Sequence, residues 1–358
     1  MASSILQVES IVKRAGQQAG FELAGIAPAT DSPELQIFPE WIAAGHAGEM
    51  KYMEARDERG SLKRASLSRV APWARSVIVC AINYNTDHPY STELHDPSRG
   101  WISRYAWSRE DYHDAVLRRL QKVEAAVHEA VQESEPQLIT RSYVDTGPIV
   151  ERVFAKYAGV GWIGKNTCII NQQIGSWLFL GVILTSLELT PDVPAPDRCG
   201  TCTRCIEACP TDAILAPYQL DANRCIAYLT IEKRGAIPEE LRAGIGHQVF
   251  GCDICQDVCP WNRKAPTTTA PEFSAREGLV NPALDWLAEM SAEGFRETFR
   301  GSPIRRTKRS GLRRNAVIAM GNSGNQLFLP LLEALILDED EGVADGAHWA
   351  VEKLRNPL

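Results

Sequence analysis

Residues 199–210 read Cys-Gly-Thr-Cys-Thr-Arg-Cys-Ile-Glu-Ala-Cys-Pro. The spacing is C-x2-C-x2-C-x3-C, closed by Pro210. Three thiolates this close wrap three corners of an iron–sulfur cubane. A fourth, placed just before a proline that redirects the chain, reaches a different cluster. Zinc also uses C-x2-C pairs, but usually sets them further apart and has no need of the trailing Cys-Pro.

A second group follows at Cys252, Cys255 and Cys259, with Pro260. It is one ligand short of a full run, and Cys225 supplies the missing thiolate. Eight ligands make two four-iron clusters. By the crossover of bacterial ferredoxins, Cys199, Cys202, Cys205 and Cys259 hold one. Cys209, Cys225, Cys252 and Cys255 hold the other. The chain has ten cysteines in all. Cys80 lies in the apolar run Ser76–Ile82 and reads as a small core hydrophobe, as does Cys168.

Outward from the clusters, the chain is long. At 358 residues it has room for two or three domains. Charged residues are 23% and hydrophobic ones 44%, which excludes a disordered or fibrous chain. No apolar run is long enough to span a membrane. The N-terminus has no apolar signal core and reads as an amphipathic helix over Ile5–Gln18, which predicts a cytoplasmic protein. A reducing compartment fits thiolate ligation better than disulfides do.

Two close clusters pass single electrons, and a bare carrier would need only the middle of this chain. The stretch before Cys199 therefore carries something to reduce. It mixes strand patterns at Ser76–Ile82, Leu138–Val144 and Trp177–Leu187 with a long amphipathic helix at Asp111–Glu133. The expectation is an α/β or α+β domain over residues 1–190. A ferredoxin-like domain follows over 191–266. A helical domain over 267–358 completes the chain. Within the tail, Ala316-Val317 recurs 34 positions later as Ala350-Val351. That period suits a HEAT-like hairpin repeat, or two unrelated amphipathic helices.

The net charge of −7 gives no sign of a nucleic-acid binder. Yet Arg305, Arg306, Lys308, Arg309, Arg313 and Arg314 fall in one short stretch without an acid. The stretch is either a solvated face or a local phosphate-binding surface.

Gly159-Val-Gly161-Trp-Ile-Gly164 matches the dinucleotide fingerprint. It follows a helical pattern at Ile149–Ala158, however, where the fingerprint needs a strand. Asn166 stands where a phosphate-binding loop needs Ser or Thr. The glycines are better read as ending a helix and allowing close backbone approach. Asp145 ends the strand Leu138–Val144 and opens Asp-Thr-Gly-Pro. It is either a helix N-cap or, if burial raises its pKa, a proton donor. His113 reads as structural.

Several stretches together carry a resemblance. They are Ile102–His113, Tyr143–Pro148, Gly159–Thr167, the cysteine run, and Gly251-Cys-Asp-Ile-Cys-Gln-Asp-Val-Cys-Pro-Trp-Asn262. In this combination the chain resembles the epoxyqueuosine reductases over nearly its whole length. The resemblance implies a cobalamin-binding N-terminal domain similar to that of reductive dehalogenases. It also implies base-off cobalamin near the clusters, and reduction of epoxyqueuosine to queuosine at the tRNA wobble position. Asp145 matches the family's proton donor. Arg56, Tyr105, Ser108, Asp145, Asn166 and Ser176 are the expected cobalamin contacts. The basic stretch would grip tRNA phosphates. An external low-potential electron donor and a monomeric state complete the expectation. A dehalogenase acting on a small molecule and a simple electron carrier are the alternatives.

Overall fold

The computed structural model describes the backbone of residues 2–356 and the side chains of residues 8–356. The chain falls into two compact units, each assembled from three separate stretches. The first comprises residues 1–85, 112–202 and 260–271; the second comprises 86–111, 203–259 and 272–358. Residues 203–259 thus share a unit with the tail beyond 272.

The first unit is built on an antiparallel sheet. Its strands are β1 (Leu23–Pro28), β2 (Ser76–Asn83), β3 (Thr140–Tyr143) and β4 (Leu178–Thr185), in the order β1-β2-β4-β3. The register pairs Ile26 with Ile78, Cys80 with Gly181, and Ser142 with Ile183. Every residue of β2 is buried, because both sheet faces are covered.

On one face, Val77, Val79 and Ala81 pack with Val153, Phe154 and Ala155 of helix α2 (Glu151–Tyr157). On the other, Gly181 lies against Leu120 of helix α1 (Tyr112–Val131); a Cβ there would sit 2.6 Å from the leucine. Cys80, paired with Gly181, shares that face, is fully buried, and has its thiol pushed up to about 12 by burial. A strand covered on both faces reads as a continuous apolar run, which is why Ser76–Ile82 is legible. β1 was not anticipated; its Leu-Ala-Gly-Ile-Ala-Pro is too short and too rich in small residues to stand out.

The second unit is mostly helical. Helix α3 (Lys308–Asn322) packs along helix α4 (Glu341–Arg355). A Cβ at Gly321 would sit 2.8 Å from the Ala350 methyl. The paired Ala316-Val317 and Ala350-Val351 are all buried in one core with Trp101, Trp107 and Phe250.

Candidate functional site

Asp145 lies just beyond β3 in a left-handed conformation, φ +58°. Such a backbone is costly for a non-glycine residue and is kept where surrounding structure fixes it. Asp145 does not cap the following helix. That helix starts at Glu151 with Val150 at its N-cap and no side-chain cap, so the capping alternative falls. Gly147 must lack a side chain, because a Cβ there would sit 2.6 Å from the Tyr143 ring. Arg64 donates to the Gly147 carbonyl at 2.8 Å and to Tyr52 O at 2.7 Å, tying the loop down.

The Asp145 carboxylate accepts a hydrogen bond from the Tyr112 hydroxyl at 2.8 Å. His113 Nε2 stands 3.7 Å from the same oxygen. The Tyr112 ring is stacked on His113 at 4.0 Å and on Phe179 at 4.5 Å. His113 and Tyr112 together hold the Asp145 carboxyl below its ordinary range, against partial burial. The side chain keeps 68% of its surface exposed. The expectation that burial raises this pKa is therefore corrected: hydrogen bonding to the ionised form wins. His113, read as structural, stands beside the Asp145 carboxylate.

Sequence reasoning missed Glu151, the first residue of α2. Its Oε1 is buried with no hydrogen-bond partner. Burial, and then the negative charge of Asp145, push its carboxyl up to about 7. No local pattern announces this, since the burial comes from the fold.

The glycine motif does what its sequence context implied. Gly159, φ +71°, ends α2, and the Val160 amide bonds back to Ala155 O at 3.0 Å. A hairpin of Trp162–Ile163 with Ile169–Ile170 follows. A Cβ on Gly161 would sit 2.5 Å from the Ile170 carbonyl.

The expected cobalamin contacts divide between the two units. Arg56 is exposed and lines a polar cleft of about 900 Å³ with Asp57, Arg59, Lys63, Ser68 and Arg69. Asn166 and Ser176 are buried in the same unit. Asn166 Oδ1 accepts from Cys168 N at 3.2 Å, and Ser176 N donates to Asn262 at 2.7 Å. Cys168 is partly exposed, not a core residue. Tyr105 and Ser108 belong to the second unit. There Tyr105 packs near Phe250, and Ser108 donates to Glu110 O at 2.7 Å.

In the second unit, Cys209, Cys225 and Cys252 are neighbours. Burial first, then the Cys225 sulfur, the Asp253 carboxylate and the Cys209 sulfur, push the Cys252 thiol far up. Thiols that crowd one another are stable as thiolates only around a strong cation. The residues present therefore fit a metal cluster. Among the described residues, no three such side chains close on a point as ligands of a single ion would; a cubane spreads its four sulfurs around a larger core. The Ala213 amide donates to Cys209 Sγ at 3.3 Å, the kind of bond that tunes a cluster.

The basic stretch is largely structural. Arg314 is 2% exposed and donates to the carbonyls of Leu229, Lys233 and Gly235. These are last-turn and post-helix carbonyls of the short helix that follows Cys225, the kind of acceptor a helix end leaves over. Arg313 is 5% exposed and pairs with Asp338. Arg306 pairs with Glu232, and Arg309 donates to Met290 O. Arg313 and Arg314 thus cannot reach a phosphate, and the expectation for them is corrected. Arg305 and Lys308 are exposed.

The chain is similar to known proteins over most of its length. A family model described as "4Fe-4S double cluster binding domain" matches residues 198–262. One described as "Epoxyqueuosine reductase QueG, DUF1730" matches residues 64–146. The epoxyqueuosine reductase of Synechocystis is 44% identical over 297 residues, covering 82% of this chain and 98% of that one. That of Escherichia coli is 39% identical over 330 residues, covering 92% and 85%. An epoxyqueuosine reductase crystallised with an epoxyqueuosine-modified tRNA-Tyr stem loop superposes with TM-score 0.85. It is 30% identical, covering 99% of this chain and 92% of that one. A Bacillus subtilis structure matches at TM-score 0.85 and 30% identity, covering 99% and 92%. In that protein the loop of a catalytic aspartate is swung out of the active site.

Proposed function

Because the chain belongs to the epoxyqueuosine reductase family, we propose that it reduces epoxyqueuosine to queuosine in tRNA, with Asp145 as the proton donor. The whole-chain likeness to a reductase solved on an epoxyqueuosine-modified tRNA stem loop carries this reading. The enzyme is an oxidoreductase that uses two four-iron clusters and cobalamin.

Removing the epoxide oxygen as water consumes two electrons and two protons. Cobalamin, when bound, supplies a low-valent cobalt able to deliver electrons to carbon, which no side chain can do. The chain's own residues hold it and manage the protons. Arg56, Arg59, Lys63 and Arg69 in the polar cleft suit the amide and phosphate groups of its periphery. Asn166 and Ser176 are further proposed contacts in the same unit.

Asp145 stands ionised beside Tyr112 and His113 in this conformation. It must take up a proton before it gives one to the departing oxygen. Glu151, its carboxyl pushed up to about 7 by burial and then by the Asp145 charge, is a ready source. The target base lies in an anticodon loop, where bases can be splayed into a pocket.

We assign Cys209, Cys225, Cys252 and Cys255 to one cluster, and Cys199, Cys202, Cys205 and Cys259 to the other. By function, residues 1–190 serve cobalamin, 191–266 the clusters and 267–358 tRNA, with α3 and α4 as a HEAT-like pair. Among the described residues no helix is long and apolar enough to cross a membrane. Cytoplasmic location, a monomeric state and an external low-potential electron donor belong to the same proposal. The test is conversion of an epoxyqueuosine-modified tRNA stem loop, read by mass spectrometry as loss of one oxygen. Protein carrying cobalamin and about eight irons that leaves the substrate unchanged would refute it.

A further inference from the structure

The segment Gly164-Lys165-Asn166 contains a cation that the reaction above does not use. Lys165 is only 9% exposed, and lysine is almost never so buried without a partner. Its ammonium donates to the Gly200 carbonyl at 2.7 Å and to the Cys202 carbonyl at 2.9 Å. Both belong to the loop that opens the ferredoxin run. That loop is closed by Cys202 N donating to Cys199 O at 3.2 Å, and Asp197 accepts from the Cys199 amide at 2.7 Å.

The lysine is presented by a braced turn. Gly164 N donates to Cys168 O at 2.7 Å, and Thr167 N to Gly164 O at 2.8 Å. The turn joins the strands Trp162–Ile163 and Ile169–Ile170. A neutral donor would satisfy two carbonyls equally well, at far lower desolvation cost than an ammonium. Among the described residues no carboxylate pairs with Lys165. The cation calls for a negative partner, and the loop it grips carries two of the expected cluster ligands. A cubane held by four thiolates is net negative, and gains a further negative charge on reduction.

We propose that Lys165 is a positioning residue for the cluster held through Cys199 and Cys202, and that its charge sets that cluster's reduction potential. The proposal rests on the two-cluster reading. A buried cation stabilises the more negative, reduced cluster, so it raises the potential. The cluster gains one electron from the external donor and passes on one electron. No bond forms or breaks at Lys165.

The experiment is a redox titration of cobalamin-free, iron-loaded protein, followed by electron paramagnetic resonance. Lys165→Gln keeps a donor and removes the charge. It is expected to move one of two midpoints to lower potential and leave the other in place. Lys165→Arg, which keeps the charge, is expected to restore the first. Two unmoved midpoints in Lys165→Gln at full iron content would overturn the proposal. Where Lys165→Gln loses iron, Lys165→Arg decides. Full iron with wild-type midpoints supports the role of charge, and equal depletion overturns it. A wild-type protein lacking two separate cluster signals would instead sink the two-cluster reading on which the proposal rests.

Discussion

The Tyr112 hydroxyl donates to Asp145 Oδ2 at 2.8 Å, from a ring stacked flat on Phe179. Tyr112→Phe keeps the stack and deletes the donor. The folded-state pKa of Asp145 lies below its unfolded value, so the interaction stabilises the fold at neutral pH. That stabilisation is lost as pH falls through the folded pKa. The substitution should raise the Asp145 pKa toward the ordinary carboxylate range. Carbon-13 NMR titration of the apo protein reads the shift, and a fall would contradict the arrangement.

Asp145→Asn is nearly isosteric and removes the transferable proton. Turnover on epoxyqueuosine-modified tRNA should fall by about 10²–10⁴-fold, the usual size of a general-acid contribution. Iron content and cobalamin absorbance should stay as in the parent protein. Near-normal turnover would remove Asp145 from the proton-donor role.

Glu151 responds to the same substitution in the opposite sense to Tyr112→Phe. Its carboxyl is pushed up to about 7 by burial and by Asp145's charge, so Asp145→Asn should bring it down. A protonated-carboxyl infrared band, absent in Glu151→Gln, reads this without turnover. A folded pKa above the unfolded one also means that folding stability declines as pH rises through about 4.5 to 7. Glu151→Gln should therefore raise the melting temperature at pH 8. The gain is at most about 3 kcal/mol, with little change at pH 4. Equal melting curves at pH 8 would show that the carboxyl is not destabilised by burial.

What the sequence made legible followed from how local each signal was. Cluster ligation is a matter of spacing, so Cys199 to Pro210 could be read directly. β2 could be read because cover on both faces leaves one unbroken apolar run. The alternatives at Asp145 stayed open because they depend on where the next helix starts; the structure starts it at Glu151, not beside Asp145. Glu151 gave no signal, since no local pattern encodes the burial that shifts its carboxyl. The basic stretch misled for a similar reason. Arg314's carbonyl partner at Leu229 lies 85 positions away, and a count of charges cannot see it.

That correction separates two groups of basic residues that the sequence placed together. Arg305 and Lys308 are exposed, so they are able to meet phosphate. Replacing both with alanine should weaken tRNA stem-loop binding about equally across sequences. It should also reduce the salt slope by about one for each phosphate no longer neutralised, with folding unchanged. Arg313 and Arg314 should behave differently. Arg314→Met takes the donor from the carbonyls of Leu229, Lys233 and Gly235, at about 1–3 kcal/mol for the buried Leu229 carbonyl left unsatisfied. Arg313→Met leaves Asp338, 11% exposed, without its partner, at about 3–5 kcal/mol. Both should lower the melting temperature, and Arg314→Met should also loosen the segment after Cys225 and reduce bound iron. Their effect on RNA affinity should vanish once the folded fraction is matched. The decisive measurement is a salt series of stem-loop affinities on folded protein for both pairs. A slope that changes for Arg313 and Arg314 but not for Arg305 and Lys308 would reverse the assignment.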